Sequence, residues 1–170
     1  MAVKKSKSKL NTKREPADPR PFFKTIATNR RARYDYEVLE QYEAGIALSG
    51  TEIKAIREGR VNIGQSFARF IDSEIWLLNA HIAEYSAGNL ANHEPTRNRK
   101  LLLKTKQISN IRKELKSSGL TLIPLRLYLK GHLAKVEIAL CRGKRQYDKR
   151  QTMIRKTQER EIESSMNRRG

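Results

Sequence analysis

The chain has 170 residues, with 36 Lys and Arg against 18 Asp and Glu, a net charge of +18 and a pI near 10.3. Such an excess points to a polyanionic partner, because each phosphate neutralised by a cation releases condensed counterions. Nucleic acid is the first candidate and an anionic membrane surface the second, although no apolar run approaches the roughly 20 residues of a spanning helix and no signal-like apolar segment lies near the N-terminus. The single cysteine, Cys141, excludes an intrachain disulfide, and His81, His93 and His132 lack the spacing of a zinc site.

Residues 1–24 combine Lys4, Lys5, Lys7, Lys9, Lys13 and Arg14 with Pro16, Pro19 and Pro21. Apolar surface is too scarce there to offset the ordering entropy, so a disordered basic arm is expected. An ordered domain is expected over 25–141. Asn29, Arg30, Arg31 and Arg33 precede a strand-like alternation of Tyr34, Tyr36 and Val38 within Tyr34–Tyr42. Gly45 reads as a turn or bulge, and TEIKAIREG as a short helix capped by Thr51 and ended by Gly59.

Phe67–Ile71 and Ile75–Leu78, split by Asp72-Ser73-Glu74, predict a hairpin. The stretch His93–Leu103, HEPTRNRKLLL, breaks the chain at Pro95 and packs Arg97, Arg99 and Lys100 against three leucines, as a basic loop on an apolar anchor would. Ile108, Ile111 and Leu115 predict an amphipathic helix within 101–118, closed by Gly119. Leu120–Leu129 and Leu133–Cys141 then read as strands. Alternation runs through Leu125, Leu127 and Leu129, then Val136, Ile138 and Leu140, and Cys141 falls at an apolar end that suits core packing. The expected class is mainly β with interposed short helices: an OB-fold-like antiparallel barrel, with a sandwich as the alternative.

Residues 142–170 change character, with ten cations against four acids and Ile154, Ile162 and Met166 at i, i+8 and i+12. A tail this polar is expected to be disordered alone and helical on a partner. No phosphate-binding glycine loop, metal-ligand cluster or nucleophile–base arrangement is present, so the chain reads as a binding protein, without cofactor, rather than an enzyme.

Four segments, NRRARYDYEV, EAGIALSGTEIKAIREGR, HEPTRNRKLLL and GKRQYDKR, resemble the small protein B (SmpB) family in order and spacing, across residues 25–150. The resemblance implies a cytoplasmic, non-catalytic protein whose OB-type barrel holds the tRNA-like end of transfer-messenger RNA (tmRNA). It also implies delivery of the alanylated RNA, with elongation factor Tu and GTP, to stalled ribosomes for peptide tagging and rescue. Carried over by motif, Asn29, Glu43, Leu102 and Lys135 would lie on the RNA-binding side. Arg30, Arg31, Arg97, Arg99 and Lys100 would add cations for phosphate.

The chemistry of these residues differs. Asn29 can hydrogen-bond an RNA edge, whereas Glu43 repels phosphate and would accept from an amino group or orient a neighbouring cation. Leu102 stays open between stacking on a base and filling the core, and burial preferences favour the core. In the tail, Lys144, Arg145, Tyr147, Lys149, Arg150, Ile154, Ile162 and Met166 would contact the ribosome at the decoding centre and along the mRNA channel. Tyr147 stands where family members often carry His, a change that preserves a flat stacking face. A structural ribosomal protein with a barrel and basic extensions is the alternative reading.

Overall fold

The two longest apolar alternations become two of the three longest strands, because their inward residues have a common interior to fill. The computed structural model describes residues 23–88, 92–116 and 119–145, with 147, 148, 153, 157, 158, 161 and 166 beyond them. In chain order the elements are β1 (Phe23–Thr28), α1 (Ala32–Asp35), β2 (Tyr36–Ile46), α2 (Gly50–Arg57), β3 (Val61–Asn62), β4 (Phe67–Ile71), β5 (Glu74–Leu78), β6 (His81–Ile82), β7 (Arg99–Leu102), α3 (Thr105–Leu115), β8 (Leu120–Lys130) and β9 (Leu133–Gly143).

All strand pairings are antiparallel, in the order β1-β8-β4-β5-β7-β2-β9, and β9 pairs again with β8. The strands β8, β4, β5, β7, β2 and β9 therefore close into a ring, and the expected barrel is present. Closure leaves β1 as the strand added along the second half of β8, from Phe23 opposite Lys130 to Thr28 opposite Arg126. The short pair β3–β6 lies outside the ring.

Turn chemistry sets the registers. Ile71 pairs with Glu74 across Asp72 and Ser73, both at positive φ, the pattern of a type I′ hairpin. Lys130 pairs with Leu133 across Gly131 and His132, and Gly131 alone has positive φ (+60°), which glycine adopts without steric cost.

Pro124 lies inside β8 and cannot donate to a ladder. It falls where β8 changes partner, between the Ala68–Leu122 and Thr28–Arg126 pairs, and the register shifts there. That bulge reverses the side-chain phase. Leu127 and Leu129 point into the barrel with Leu122, but Ile123 and Leu125 point outward and form a second small core with Ala32, Ala139 and Cys141. Leu125 is therefore not on the same face as Leu127 and Leu129, contrary to the simple alternation.

Three further expectations shift. Ser49, not Thr51, caps α2, in a reciprocal box: Glu52 N–H donates to Ser49 Oγ and Ser49 N–H to Glu52 Oε2. Arg99–Leu102 is a strand rather than the start of a helix, because Leu101 and Lys100 pair with Ile75 and Trp76 of β5; α3 begins at Thr105. Gly45 continues β2 rather than turning it, pairing with both Lys135 and Leu102. The barrel also reaches past both expected edges: β1 begins at Phe23, and β9 runs to Gly143, which pairs with Tyr36.

The interior is filled by Tyr42, Ala44 and Ile46 of β2, Ile75 and Leu77 of β5, Val136, Ile138 and Leu140 of β9, Ala55 and Ile56 of α2, and Ile111 of α3. Cys141 is fully buried, and burial pushes its thiol up to about 11. The thiolate is the reactive form, so alkylation at pH 8 should be at least ~10-fold slower in the native protein than in urea. Equal rates would mean the outer core opens readily.

Candidate nucleic-acid interface

Alternation that sends Tyr42, Ala44, Leu127, Leu129, Val136 and Ile138 inward sends their neighbours to the outer face of β2, β9 and β8. That face carries Gln41 and Glu43 from β2, Lys135 and Glu137 from β9, and Arg126, Tyr128 and Lys130 from β8, with Phe23 of β1 beside them. Glu43 lies directly opposite Glu137. Two like charges in register repel, and each is answered by its own cations. Glu137 accepts from Arg126 Nη2 at 2.7 Å. Glu43 accepts from Tyr128 Oη at 2.5 Å and from Lys135 Nζ at 3.3 Å, with Lys130 Nζ at 4.0 Å.

These contacts fix the protonation states. The Tyr128 hydroxyl is the main cause that holds the Glu43 carboxyl below its ordinary range, aided by Lys135 and Lys130 against the opposing effect of burial. Burial, then the bond to Glu43, pushes Tyr128 up to about 12. Glu43 is thus an anion that orients cations, one of the two roles its charge allows. The Phe23 ring, 58% exposed, lies 6.0 Å from the Tyr128 ring, with Lys130 Nζ 5.4 Å from the Phe23 centroid and the Arg126 guanidinium 5.3 Å from that of Tyr128.

Two grooves extend this face. One, of about 420 Å³, is lined by Ile46, Leu48, Ile53, Leu102, Leu133 and Lys135. Leu102 is 52% exposed and Leu133 66% exposed. Leu102 is therefore not a core residue: in β7 the neighbouring Leu101 takes the inward position, and period two sends Leu102 out. A methyl on Gly45 would stand 3.2 Å from Leu102 Cβ, so glycine is what allows this close crossing. The other groove, of about 570 Å³, is lined by Arg30, Arg33, Gln41, Leu125, Arg126 and Glu137. Glu43, Leu102, Lys135 and Arg30 are thereby brought to one continuous surface.

One expected site residue, Arg99, does not reach it, and Asn29 meets it only from the wall of the second groove. Asn29 is buried: its Oδ1 accepts from Ala32 N–H at 3.1 Å and its Nδ2 donates to the Ile63 carbonyl at 3.4 Å. Asn29 therefore holds the turn before α1, and so places exposed Arg30 and Arg31. Arg99 has no exposed side-chain surface. It donates to Glu52 at 2.8 Å and to the carbonyls of Ala80, Arg97 and Pro95. A guanidinium so enclosed cannot meet a phosphate.

Arg97 also commits to Glu52, through Nε at 2.7 Å and Nη2 at 2.5 Å, and Lys100 to Glu74. The basic run at 97–100 is thus chiefly a structural knot. Desolvation of Glu52 opposes its charge, but Arg97, the Ser49 amide and Arg99 outweigh it and hold its carboxyl below the ordinary range.

At the far end of β9, Lys144 donates its N–H to the Asp35 carbonyl and its Nζ to that of Arg33, both at 3.0 Å. The tail therefore leaves from α1. Arg145 N–H donates to Asp148 Oδ2 at 3.3 Å, and Tyr34 Oη lies 3.3 Å from Met153 Sδ. Tyr147, Asp148, Met153, Thr157, Gln158, Glu161 and Met166 are helical, and Tyr147 and Met166 are each 69% exposed. The expected tail contacts Lys149, Arg150, Ile154 and Ile162 lie outside the described residues, as do residues 1–22.

Arg126, Tyr128, Lys130 and Phe23 were not singled out from the sequence. The polar phase of β8, with an aromatic between two cations, was the available signal for the first three; Phe23 was hidden by its position in the basic arm. Among the described residues no group of three His, Cys, Asp or Glu is disposed to hold a metal, and no helix is long and apolar enough to cross a membrane.

A closed antiparallel barrel with a sheet face of paired cations, an aromatic pair and exposed leucines has the form of an RNA-binding barrel. Residues 26–168 match the model of the SmpB protein family, and the chain belongs to that family. It is 49% identical over 150 residues to the SsrA-binding protein of Ligilactobacillus salivarius, covering 88% of this chain and 97% of that one. To the SsrA-binding protein of Carboxydothermus hydrogenoformans it is 52% identical over 143 residues, covering 84% and 96%. A solved chain described as tmRNA-SmpB in the bacterial ribosome is 48% identical, with a TM-score of 0.60 over 74% of this chain and 92% of that one.

Proposed function

We propose that this chain binds tmRNA, the SsrA RNA, through the outer face of β1, β8, β9 and β2, and brings it to stalled ribosomes for peptide tagging and rescue. The observation that carries the reading is the joining of Glu43, Leu102 and Lys135, which lie far apart in the chain, into one cationic and apolar surface. In this reading Lys135, Lys130 and Arg126 meet phosphates, and Leu102 with Leu133 takes the flat face of an unstacked base. The carboxylates hold the cations in place and remain on the protein side of the interface. The RNA arrives alanylated, with elongation factor Tu and GTP, in the cytoplasm. The tail from Lys144 onward enters the decoding centre and the vacant mRNA channel, with Tyr147 stacking on a base. The protein itself catalyses no step.

Sequencing the RNA that copurifies with the protein tests the partner: one abundant structured RNA and substoichiometric ribosome association are expected. Stoichiometric presence on every ribosome would favour a structural ribosomal protein instead. The face is tested by Lys135→Ala with Arg126→Ala against the tRNA-like part of tmRNA. Two lost phosphate contacts should flatten the log–log salt dependence by about 1.8. An unchanged slope would place the RNA elsewhere.

A further inference from the structure

Tyr128 and Glu43 lie 85 residues apart in the chain, and the hydrogen bond between them crosses a whole strand. β9 pairs with β8 on one side and with β2 on the other. β8 and β2 therefore stand two strand spacings, about 10 Å, apart. A carboxylate on β2 is beyond the reach of most side chains on β8, and the long phenol of Tyr128 is what meets it. Directly beneath this bridge sits Lys135, the ladder partner of Tyr128 on β9.

The bridge divides the two oxygens of Glu43. Oε2 accepts from the Tyr128 hydroxyl at 2.5 Å, while Oε1 faces Lys135 Nζ at 3.3 Å and Lys130 Nζ at 4.0 Å. With Oε2 held, a single oxygen serves two ammonium groups. An ammonium carries three N–H donors, so each lysine keeps donors that Glu43 does not occupy. The phenol itself is fixed by packing: Tyr128 is 6% exposed, between the Phe23 ring at 6.0 Å and the Arg126 guanidinium at 5.3 Å. Its hydroxyl points at Glu43 without help from any ligand.

We infer that Tyr128 is a positioning residue for the RNA face: its hydroxyl anchors Glu43 so that Lys135 and Lys130 keep N–H donors aimed outward for phosphate. The inference rests on the tmRNA reading of this face. Without the hydroxyl, the Glu43 carboxylate is free to turn both oxygens to the lysines, and phosphate must compete for the same donors. Two long, flexible stems would also have to be ordered during binding, a cost that the anchored carboxylate removes beforehand. Tyr128 thus acts through Glu43 and makes no contact with RNA of its own.

The test uses the full chain and Tyr128→Phe, which keeps the packed ring and removes only the hydroxyl. In the RNA-free protein, carbon-13 NMR should show the Glu43 carboxyl titrating at higher pH in this variant, because the hydroxyl is the main cause that holds it low. Affinity for the tRNA-like fragment of tmRNA should fall about tenfold, as expected for loss of a hydrogen bond to a charged group. Glu43→Gln should cause a similar loss, and Tyr128→Phe added to it should cause no further one, since residues acting as a unit are not additive. Far-UV circular dichroism should match that of the native chain in all three variants.

An unaltered Glu43 titration in Tyr128→Phe would overturn the inference. So would additive losses in the double variant, which would mean that the hydroxyl acts independently of Glu43. Lys135→Ala with Arg126→Ala separates this inference from the reading beneath it. If that pair leaves fragment affinity and salt slope intact, the face does not bind tmRNA and the inference falls with it. If that pair weakens binding while Tyr128→Phe does not, the face stands and the positioning role alone is overturned.

Discussion

Glu52→Ala is expected to cost about 3–5 kcal/mol of stability, the range for breaking a buried ion pair by removing one partner. Glu52 has no exposed side-chain surface, and neither has Arg99, which stays enclosed by carbonyls once its carboxylate is gone. The same change removes the reciprocal cap of α2 and frees Arg97. Urea unfolding is the measurement, with Arg99→Ala expected to fall in the same range. A loss below about 1 kcal/mol would mean the knot is no better than a surface pair.

Lys100→Ala supplies that comparison, because Lys100 and Glu74 are each more than a third exposed and their pair should contribute at most about 1 kcal/mol. The sign of the pH dependence follows from Glu52. Its carboxyl is held below the ordinary range when folded, so the unfolded chain binds the proton first. The stabilisation is full above the unfolded carboxylate range and is lost as pH falls through the folded value. Glu52→Gln should remove this acid limb; a wild-type-like limb in that variant would assign it elsewhere.

A chain ending at Lys144 is expected to keep its affinity for the tRNA-like fragment within twofold while tagging on stalled ribosomes collapses. The cut belongs after Lys144 and not at Cys141. Arg142 and Gly143 still pair with Glu37 and Tyr36, and Lys144 is anchored on α1 by two hydrogen bonds. A cut at Cys141 would open the end of β9 against β2 and confuse loss of fold with loss of tail. Within the tail, Tyr147→Ala should lower tagging by roughly tenfold, since base stacking on an aromatic contributes about 1–3 kcal/mol. Tyr147→His should be nearly silent. Loss of fragment affinity on truncation at Lys144 would show that the tail belongs to the tmRNA interface.

Local pattern alone determined the β class, the β4–β5 hairpin, the strands β8 and β9, the helix around Ile108–Leu115 and the basic partner chemistry. Alternation, turn residues and net charge are properties of neighbouring residues, and they survive without knowledge of what packs against them. Resemblance placed Glu43, Leu102 and Lys135 on one side, and the registers through Gly45 bring them together.

Tertiary structure decided the fate of individual charges and apolar groups. Arg97, Arg99 and Lys100 read alike in sequence, yet Arg99 is enclosed because Glu52, 47 residues earlier, reaches it across the fold. Leu101 and Leu102 are chemically identical, and only the pairing of β7 with β5 and β2 sends one in and the other out. Pro124 signals a break, but the phase reversal it accompanies appears only where β8 exchanges β4 for β1. A side chain's burial depends on partners distant in the chain, and no local spacing encodes which carboxylate will meet which cation.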